Sequence, residues 1–315
     1  MGKTWTQTTV LASVGLGLAL VSNLAQAAIY DRNGNKLPDK EVNSSAVNWE
    51  LLSAEQGKKY NGVGLLEQES DGFCTAFFLN AGGEENAPAY ALTNGHCSDI
   101  NKFPDAKEII INRSSNIVFK LNYFVNQNPR VRAVGVQRVV YATMKGIDIT
   151  ILELNTTFGQ LVKEGFTPLK IDEVSPRVGE PVEIIGIPMS RVEHSRSFLH
   201  KAVCQLGESA IVREDVYQWD KSIRMRCSVV GGMSGSPIVS LKSNRVVAIA
   251  NTGIDDEALS KPECSLNRPC EVFNDGSITT FPKENYAQRV SNIASCFDKQ
   301  GIFNLNLPNC DLEKP

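Results

Sequence analysis

The stretch GGMSGSP, residues 231–237, frames a serine with glycines in a region that otherwise has the composition of buried strand. It follows an apolar run that ends at Val230 and precedes the apolar Ile238. Glycine adopts backbone conformations closed to other residues and lets a ligand approach the main chain. The pattern therefore predicts a sharp turn that presents the hydroxyl of Ser234, although a purely structural turn would have a similar sequence.

The start of the chain has the pattern of a secretory signal. Lys3 precedes an apolar run of about a dozen residues, and the small residues Ala25-Gln26-Ala27 follow it. We expect cleavage after Ala27, export to a periplasm or out of the cell, and no membrane association after cleavage. The apolar run is short for a membrane span.

Charge and cysteine content exclude other classes. A net charge of −3 without a basic run offers no surface for nucleic acid. Eight cysteines, an even number in an exported chain, favour disulfides over metal ligation. The chain has three histidines and no Cys-x-x-Cys pair, so we expect no metal and no cofactor.

The remaining 288 residues, 315 less the 27 of the signal, are rich in short apolar runs separated by Gly, Asn, Asp and Pro. This pattern favours an all-β barrel or sandwich. Apolar residues recur at helical spacing in residues 286–297, which predicts a C-terminal helix. Residues 28–59 are polar and weakly periodic, and we expect them to form an N-terminal extension or a pro-segment outside the core.

Three motifs supply groups for nucleophilic catalysis. They are TNGHC at residues 93–97, GIDITIL at residues 146–152 and GGMSGSP. A serine needs a base to take its proton, and that imidazole needs a third group to hold one tautomer. His96, Asp148 and Ser234 match these roles, and their order excludes the α/β-hydrolases, which run Ser, Asp, His.

The ordered motifs resemble those of the trypsin-like (chymotrypsin-fold) serine peptidases, which carry Thr-Ala-Gly-His-Cys, Asp-Ile-Ala-Leu and Gly-Asp-Ser-Gly-Gly-Pro. The form GMSGSP is most similar to the bacterial branch that includes the glutamyl endopeptidases. The resemblance implies two six-stranded antiparallel β-barrels, here with the C-terminal helix. The expected division is a peptidase domain at 60–297, with barrel one at about 60–157 and barrel two at about 176–285, and a disulfide-tied tail at 298–315.

The resemblance also implies residue roles. His96 would act as general base and then general acid, Asp148 would orient it, and Ser234 would attack the scissile carbonyl. The backbone amides of Gly232 and Ser234 would form the oxyanion hole. Met233 replaces the aspartate that pairs with a new N-terminus in animal members, so activation by a buried N-terminus is not expected.

The P1 residue of a substrate is the residue that precedes the cut bond. We expect the residue at the base of the pocket that binds P1 to determine specificity. Ser228 stands where trypsins carry an acid, and Ala250 stands near the place of the histidine of glutamyl endopeptidases. We therefore expect an uncharged P1 residue. The substrate would pair as a strand with the main chain of residues 251–253. The proposed substrate-binding residues are Ser228, Val229, Ala250, Asn251, Thr252 and Gly253.

One disulfide follows from the resemblance and three from proximity in the sequence. The family commonly ties the strand before the catalytic histidine to the residue after it, which here would pair Cys74 with Cys97. Proximity alone suggests the other pairs, which are Cys204 with Cys227, Cys264 with Cys270, and Cys296 with Cys310.

These inferences predict an exported, monomeric serine endopeptidase that acts on a protein or peptide substrate. One alternative is a catalytically silent relative that uses the double barrel for binding or adhesion. A third interpretation is an esterase or other acyl transferase on the same fold.

Overall fold

The computed structural model of the chain describes residues 28–31, 33, 35–37, 47–126, 130–254 and 256–315. The expected secretory signal lies outside these residues. Strands dominate the described part, whose one α-helix is the short α1, Phe158–Lys163. The all-β prediction is therefore confirmed. Within these residues, no helix has the length and apolar character needed to cross a membrane.

The first barrel closes through an unbroken ring of antiparallel strand pairs. After the short β1, Glu50–Leu51, its strands are β2 Val63–Gln68, β3 Asp71–Leu79, β4 Pro88–Thr93, β5 Ile109–Ser114, β6 Val118–Leu121, β7 Arg132–Thr143 and β8 Ile149–Thr157. The ring runs β2, β3, β4, β8, β7, β6 and back to β2. The remaining strand, β5, pairs with β7 outside the ring.

The second barrel closes in the same way. Its strands are β9 Pro181–Gly186, β10 His200–Glu214, β11 Tyr217–Met225, β12 Pro237–Ser240, β13 Val246–Gly253 and, after the hairpin of β14 Cys270–Val272 and β15 Ile278–Thr279, β16 Asn285–Arg289. The ring runs β9, β10, β11, β16, β13, β12 and back to β9. The prediction of two six-stranded barrels is confirmed.

Strand sequences follow from what each face covers. The exposed half of β7 alternates, with Val134 and Val136 buried and Ala133 and Gln137 exposed. By contrast, β3 buries both faces, because Phe78 packs inside the first barrel's core and Phe77 packs in a core shared with residues of the second barrel. A strand between two cores therefore has a continuous apolar sequence.

Short helical segments join these strands. The helix α1 begins the link between the barrels, and the Thr157 hydroxyl caps it by accepting a hydrogen bond from the Gln160 amide at 3.2 Å. The 3-10 helices are Lys58–Tyr60, Gly95–Cys97, His194–Arg196, Asp256–Ser260 and Ala294–Cys296.

The predicted C-terminal helix over residues 286–297 is wrong. Its first part is β16, which lies between β11 and β13 and pairs with both. Both faces of that strand are buried, so its apolar residues do not alternate, and turns place Val290, Ile293 and Phe297 in the core. Apolar spacing of three and four residues therefore came from a strand and a 3-10 turn.

The N-terminal segment packs into the second barrel, contrary to the expectation that it lies outside the core. Ile29 and Trp49 belong to the apolar core of that barrel. The Ala28 amide donates to Asn285 Oδ1 at 2.8 Å, and the Trp49 indole donates to the Ser228 carbonyl at 3.1 Å. This packing gives no support to removal of residues 28–59 as a pro-segment.

All eight cysteines pair in the structure, in the combinations expected from the sequence: Cys74 with Cys97, Cys204 with Cys227, Cys264 with Cys270, and Cys296 with Cys310. The first joins β3 to the 3-10 helix that carries His96. The second joins β10 to the residue before Ser228. Two of the four disulfides thus restrain segments next to predicted site residues.

We predict that Trp49→Ala lowers the free energy of unfolding by about 3–5 kcal/mol, as for other buried Trp or Phe truncations. The indole is 7% exposed and packs in the second barrel. Denaturant unfolding of the purified protein measures the change. Val178→Ala, at a position 69% exposed, is the control and stays within about 0.5 kcal/mol. A Trp49→Ala protein as stable as the parent would show that the packing of the N-terminal segment does not stabilise the second barrel.

Candidate active site

The glycine-framed stretch forms the sharp turn that its sequence predicts. Gly232 and Gly235 have φ values of +93° and +80°, which favour glycine over any residue with a Cβ. Two short hydrogen-bonded turns follow each other, from the Met233 amide to the Val230 carbonyl and from the Ser236 amide to the Met233 carbonyl, both at 3.0 Å. The two turns share Met233, and Ser234 is the second residue of the second turn.

This turn of the second barrel lies against the first barrel. A Cβ added to Gly235 would lie 2.1 Å from Thr93 Oγ1 and 2.2 Å from the Thr75 carbonyl oxygen, so no side chain fits there. The Thr75 amide donates to the Ser234 carbonyl at 2.9 Å. Thr93 is the last residue of β4 and comes just before the 3-10 helix that carries His96. The contact of Gly235 with Thr93 therefore places Ser234 on the side of the barrel junction where His96 lies.

Thr75 also holds the segment around Gly232 through hydrogen bonds. Its hydroxyl donates to the Gly232 carbonyl at 2.9 Å and accepts from the Ile187 amide at 3.1 Å, while its own carbonyl accepts from the Thr93 hydroxyl at 2.8 Å. Thr75 was not predicted from the sequence as a site residue. Its only sequence signal is one polar side chain in the apolar run FCTAFFL of β3.

His96 and Asp148 form a buried pair. The His96 Nδ1 lies 2.7 Å from Asp148 Oδ2, and the His96 amide donates to Asp148 Oδ1 at 3.0 Å. Asp148 is fully buried and His96 is 7% exposed. In the described part of the chain, His96 Nε2 has no hydrogen-bond partner, so Ser234 and His96 are not hydrogen-bonded to each other in this structure.

The pair affects the protonation of the imidazole. Burial opposes the charged form, but the charge and hydrogen bond of Asp148, together with the charge of Glu214, outweigh it and raise the pKa of His96. With Nδ1 held by the aspartate, the free Nε2 is the nitrogen available for proton transfer.

Two backbone amides in the turn are free. Among the described residues, neither the Gly232 nor the Ser234 amide donates a hydrogen bond. Met233, between them, is 1% exposed and packs in the apolar core of the second barrel. The turn is thus held by packing and by Thr75, and its two donors are left for a ligand.

Ser228, the expected base of the P1 pocket, is bound by the N-terminal segment. Its hydroxyl accepts from the Tyr30 amide at 2.9 Å. Next to it, the Val229 amide donates to the Ala28 carbonyl at 3.2 Å. The Asn285 amide group bridges the Ala28 and Cys227 carbonyls at 2.9 and 2.8 Å. Asn285 was not predicted from the sequence, because it lies 257 residues from Ala28.

The other proposed substrate-binding residues lie on β13. Ala250, Asn251 and Thr252 are buried, and β12 pairs with β13 only as far as Ile249. Beyond that point β13 pairs on its other side with β16, which leaves one edge of residues 251–253 without a partner among the described strands.

Glu214, at the end of β10, also faces this region and was not identified from the sequence. It lies 3% exposed, accepts from the Thr252 hydroxyl at 2.6 Å and accepts from the Asn267 amide at 2.8 Å. Burial raises the pKa of the Glu214 carboxyl to about 7, although both hydrogen bonds and His96 act against that rise. In the sequence it stands within Arg213-Glu214-Asp215, which has the composition of a solvated turn.

We predict that Asp148→Asn lowers the pKa of His96, because the variant removes the charge that opposes the burial penalty. A pH titration of the histidine ring resonances by NMR measures this, and the chain has only three histidines. His200 is the internal control, since burial lowers its pKa to about 4 independently of Asp148. An unchanged His96 titration would contradict the pairing.

Several solved structures are similar to this chain at low sequence identity. Among solved structures, the MamO protease domain from Magnetospirillum magneticum is 14% identical with a TM-score of 0.47, and the match covers 76% of this chain and 97% of that one. Neuropsin, a serine protease expressed in the limbic system of mouse brain, is 14% identical with a TM-score of 0.46 over 74% and 90%. The protein HBP is 12% identical with a TM-score of 0.50 over 77% and 90%. Such identities concern the fold alone.

No curated protein matches the chain significantly. A family model does: the trypsin-like peptidase domain matches residues 74–249, which is more than half of the 315 residues. The matched segment begins at the cysteine of β3 and includes all three catalytic candidates. The chain therefore belongs to the trypsin-like peptidase domain family.

Proposed function

We propose that the chain is an exported serine endopeptidase with His96, Asp148 and Ser234 as its catalytic residues. The observation that carries the proposal is the buried His96–Asp148 pair, which lies at the junction of the two barrels. The turn that holds Ser234 lies at the same junction, and its Gly232 and Ser234 amides donate no hydrogen bond within the described residues. Four disulfides support export, since such bonds persist in oxidising compartments.

In the first half of the reaction, Ser234 Oγ attacks the scissile carbonyl carbon while His96 Nε2 takes the hydroxyl proton. Asp148 keeps Nδ1 protonated and stabilises the imidazolium that forms. The carbonyl oxygen becomes an oxyanion that the Gly232 and Ser234 amides stabilise, with each donor contributing about 3 kcal/mol to the barrier reduction. The imidazolium then protonates the leaving amine, and an acyl-enzyme remains.

In the second half, water attacks the acyl carbon, and His96 Nε2 takes one of its protons. The oxyanion forms again between the same two amides. Its collapse returns the proton to Ser234 Oγ and releases the carboxylic acid product. Because Nε2 must be unprotonated at the start, activity falls as pH drops through the raised pKa of His96.

The P1 preference follows from what lines the pocket. Ser228, Val229 and Ala250 are buried and carry no charge, and the Ser228 hydroxyl is already bound to Tyr30. A charged P1 side chain would be desolvated there without a counter-charge. We therefore propose cleavage after uncharged residues. The motif GMSGSP still favours the bacterial branch that resembles the glutamyl endopeptidases, but Ala250 gives no support to cleavage after glutamate.

The free edge of β13 gives the substrate its orientation. The substrate main chain would add as an antiparallel strand beside Asn251, Thr252 and Gly253, whose outer edge pairs with none of the described strands. This pairing positions the scissile carbonyl without depending on side chains.

We predict that the protein reacts with a fluorophosphonate probe and that Ser234→Ala abolishes labelling. Peptide hydrolysis should fall about a millionfold, as when other serine peptidases lose the nucleophile. Ser243→Ala, at an exposed serine beyond β12, is the matched control and keeps full labelling. A folded wild-type protein that is not labelled would favour the silent binding module. Ester turnover without peptide turnover would favour the acyl transferase.

We also predict that cleavage sites in a peptide library fall after uncharged residues. The physical reason is the absence of a charged group at Ser228, Val229 and Ala250. Mass spectrometry of the digest products identifies the residue before each cut. Ser228→Asp is the paired variant and shifts cleavage towards Lys and Arg. A wild-type digest dominated by cuts after Lys, Arg or Glu would contradict the assignment.

A further inference from the structure

A pocket next to His96 is not used by the catalytic steps. Its walls are largely aromatic and include Phe103, Tyr217 and Trp219. The polar tips of two of these rings are already bound, since the Tyr217 hydroxyl donates to the Pro104 carbonyl and the Trp219 indole to the Met144 carbonyl, both at 3.1 Å. These walls therefore offer ring surfaces to a ligand.

Glu214 lines the same pocket and has no cationic partner among the described residues. Both of its hydrogen bonds come from neutral donors, the Thr252 hydroxyl and the Asn267 amide. Within the described residues, no lysine or arginine makes an ion pair with it, whereas the buried Glu153 and Glu271 each pair with an arginine. A buried carboxylate without a counter-ion is costly, and a cationic ligand would remove that cost.

Asn251 provides a second, independent observation. Its side chain lines the pocket and is 5% exposed, yet neither Oδ1 nor Nδ2 has a hydrogen-bond partner in the described part of the chain. Buried amide groups are normally paired. A ligand with N–H groups would satisfy the oxygen of this side chain at the same time as the carboxylate.

The register of a bound substrate decides which residue reaches this pocket. Successive side chains of a strand point to opposite faces. With the P1 side chain directed to Ser228, the next residue towards the substrate N-terminus, P2, directs its side chain to the opposite side. Because the pocket is lined by His96, Asn251 and Thr252 but not by Ser228, we assign it to that side.

We propose that this pocket binds a lysine or arginine side chain at P2 and that Glu214 is its specificity-determining residue. This inference rests on the proposed function, because it assumes a peptide bound along β13. The ammonium or guanidinium group would pair with Glu214 and with Asn251 Oδ1, and the aromatic rings would enclose its stem and add cation–π attraction.

The selectivity depends on pH in a defined direction. With its pKa at about 7, Glu214 is protonated and loses its attraction for a cation as pH falls below that value. The charged or titratable groups that act on it are His96 and Asp148, and Tyr217 also faces the pocket. The titration of His96 affects all substrates, so a ratio between two substrates removes its effect.

The test compares peptides that differ only at P2, with lysine, its uncharged isostere norleucine, or glutamate. At pH 8 we expect kcat/KM to favour lysine over norleucine by about tenfold or more, from one charge-assisted contact. The lysine-to-norleucine ratio should fall as pH drops below 7. In Glu214→Gln the ratio should fall close to one at every pH. Glu208→Gln, on the exposed part of β10, is the control and keeps the wild-type ratio.

Fluorophosphonate titration of each protein counts working sites and separates the possible failures. A labelled wild-type protein that cleaves the norleucine peptide as well as the lysine peptide would overturn the P2 assignment and leave the peptidase intact. The same holds if Glu214→Gln is labelled and keeps the wild-type ratio and its pH dependence. An unlabelled, inactive wild-type protein would overturn both. The wild-type ratio needs no variant, so the test stands even if Glu214→Gln does not fold.

Discussion

The close backbone contact between Gly235 and the strand residue Thr75 is the constraint on which the site depends. A serine in one barrel and a histidine in the other need specific contacts between the barrels to hold them in one orientation. Here the absence of a Cβ at Gly235 lets the turn lie directly on β3, and Thr75 bonds both Ser234 and Gly232. Ser234 and the Gly232 segment are thus oriented from the opposite barrel, which also carries His96.

Which site residues could be predicted from the sequence depends on how far apart in the chain the interacting residues lie. His96, Asp148 and Ser234 lie in short motifs whose order and flanking residues are local patterns, and the disulfide partners lie close in the chain. Glu214 and Asn285 act through contacts between distant strands, and one polar residue in a strand carries no mark of its eventual partner. Long-range polar contacts therefore had to be observed.

The errors have the same physical origin. Periodicity separates helix from strand only when one face is buried, and β16 lies inside a barrel with both faces covered. Composition separates core from surface only on average, and the polar segment 28–59 still buries Ile29 and Trp49. A few apolar side chains spaced along a polar segment are enough to anchor it, because each buried side chain contributes about 1.5–3 kcal/mol.

The contact of Ala28 with Asn285 has a consequence for when the cleft exists. These residues lie 257 positions apart, and between them they position the Cys227 and Val229 main chain that flanks Ser228. Closing such a contact needs the 257 positions between the two residues, and contacts of high sequence separation slow folding. A nascent chain that has not yet released residue 285 cannot assemble this wall. The order of synthesis therefore keeps this wall incomplete until residue 285 has been made.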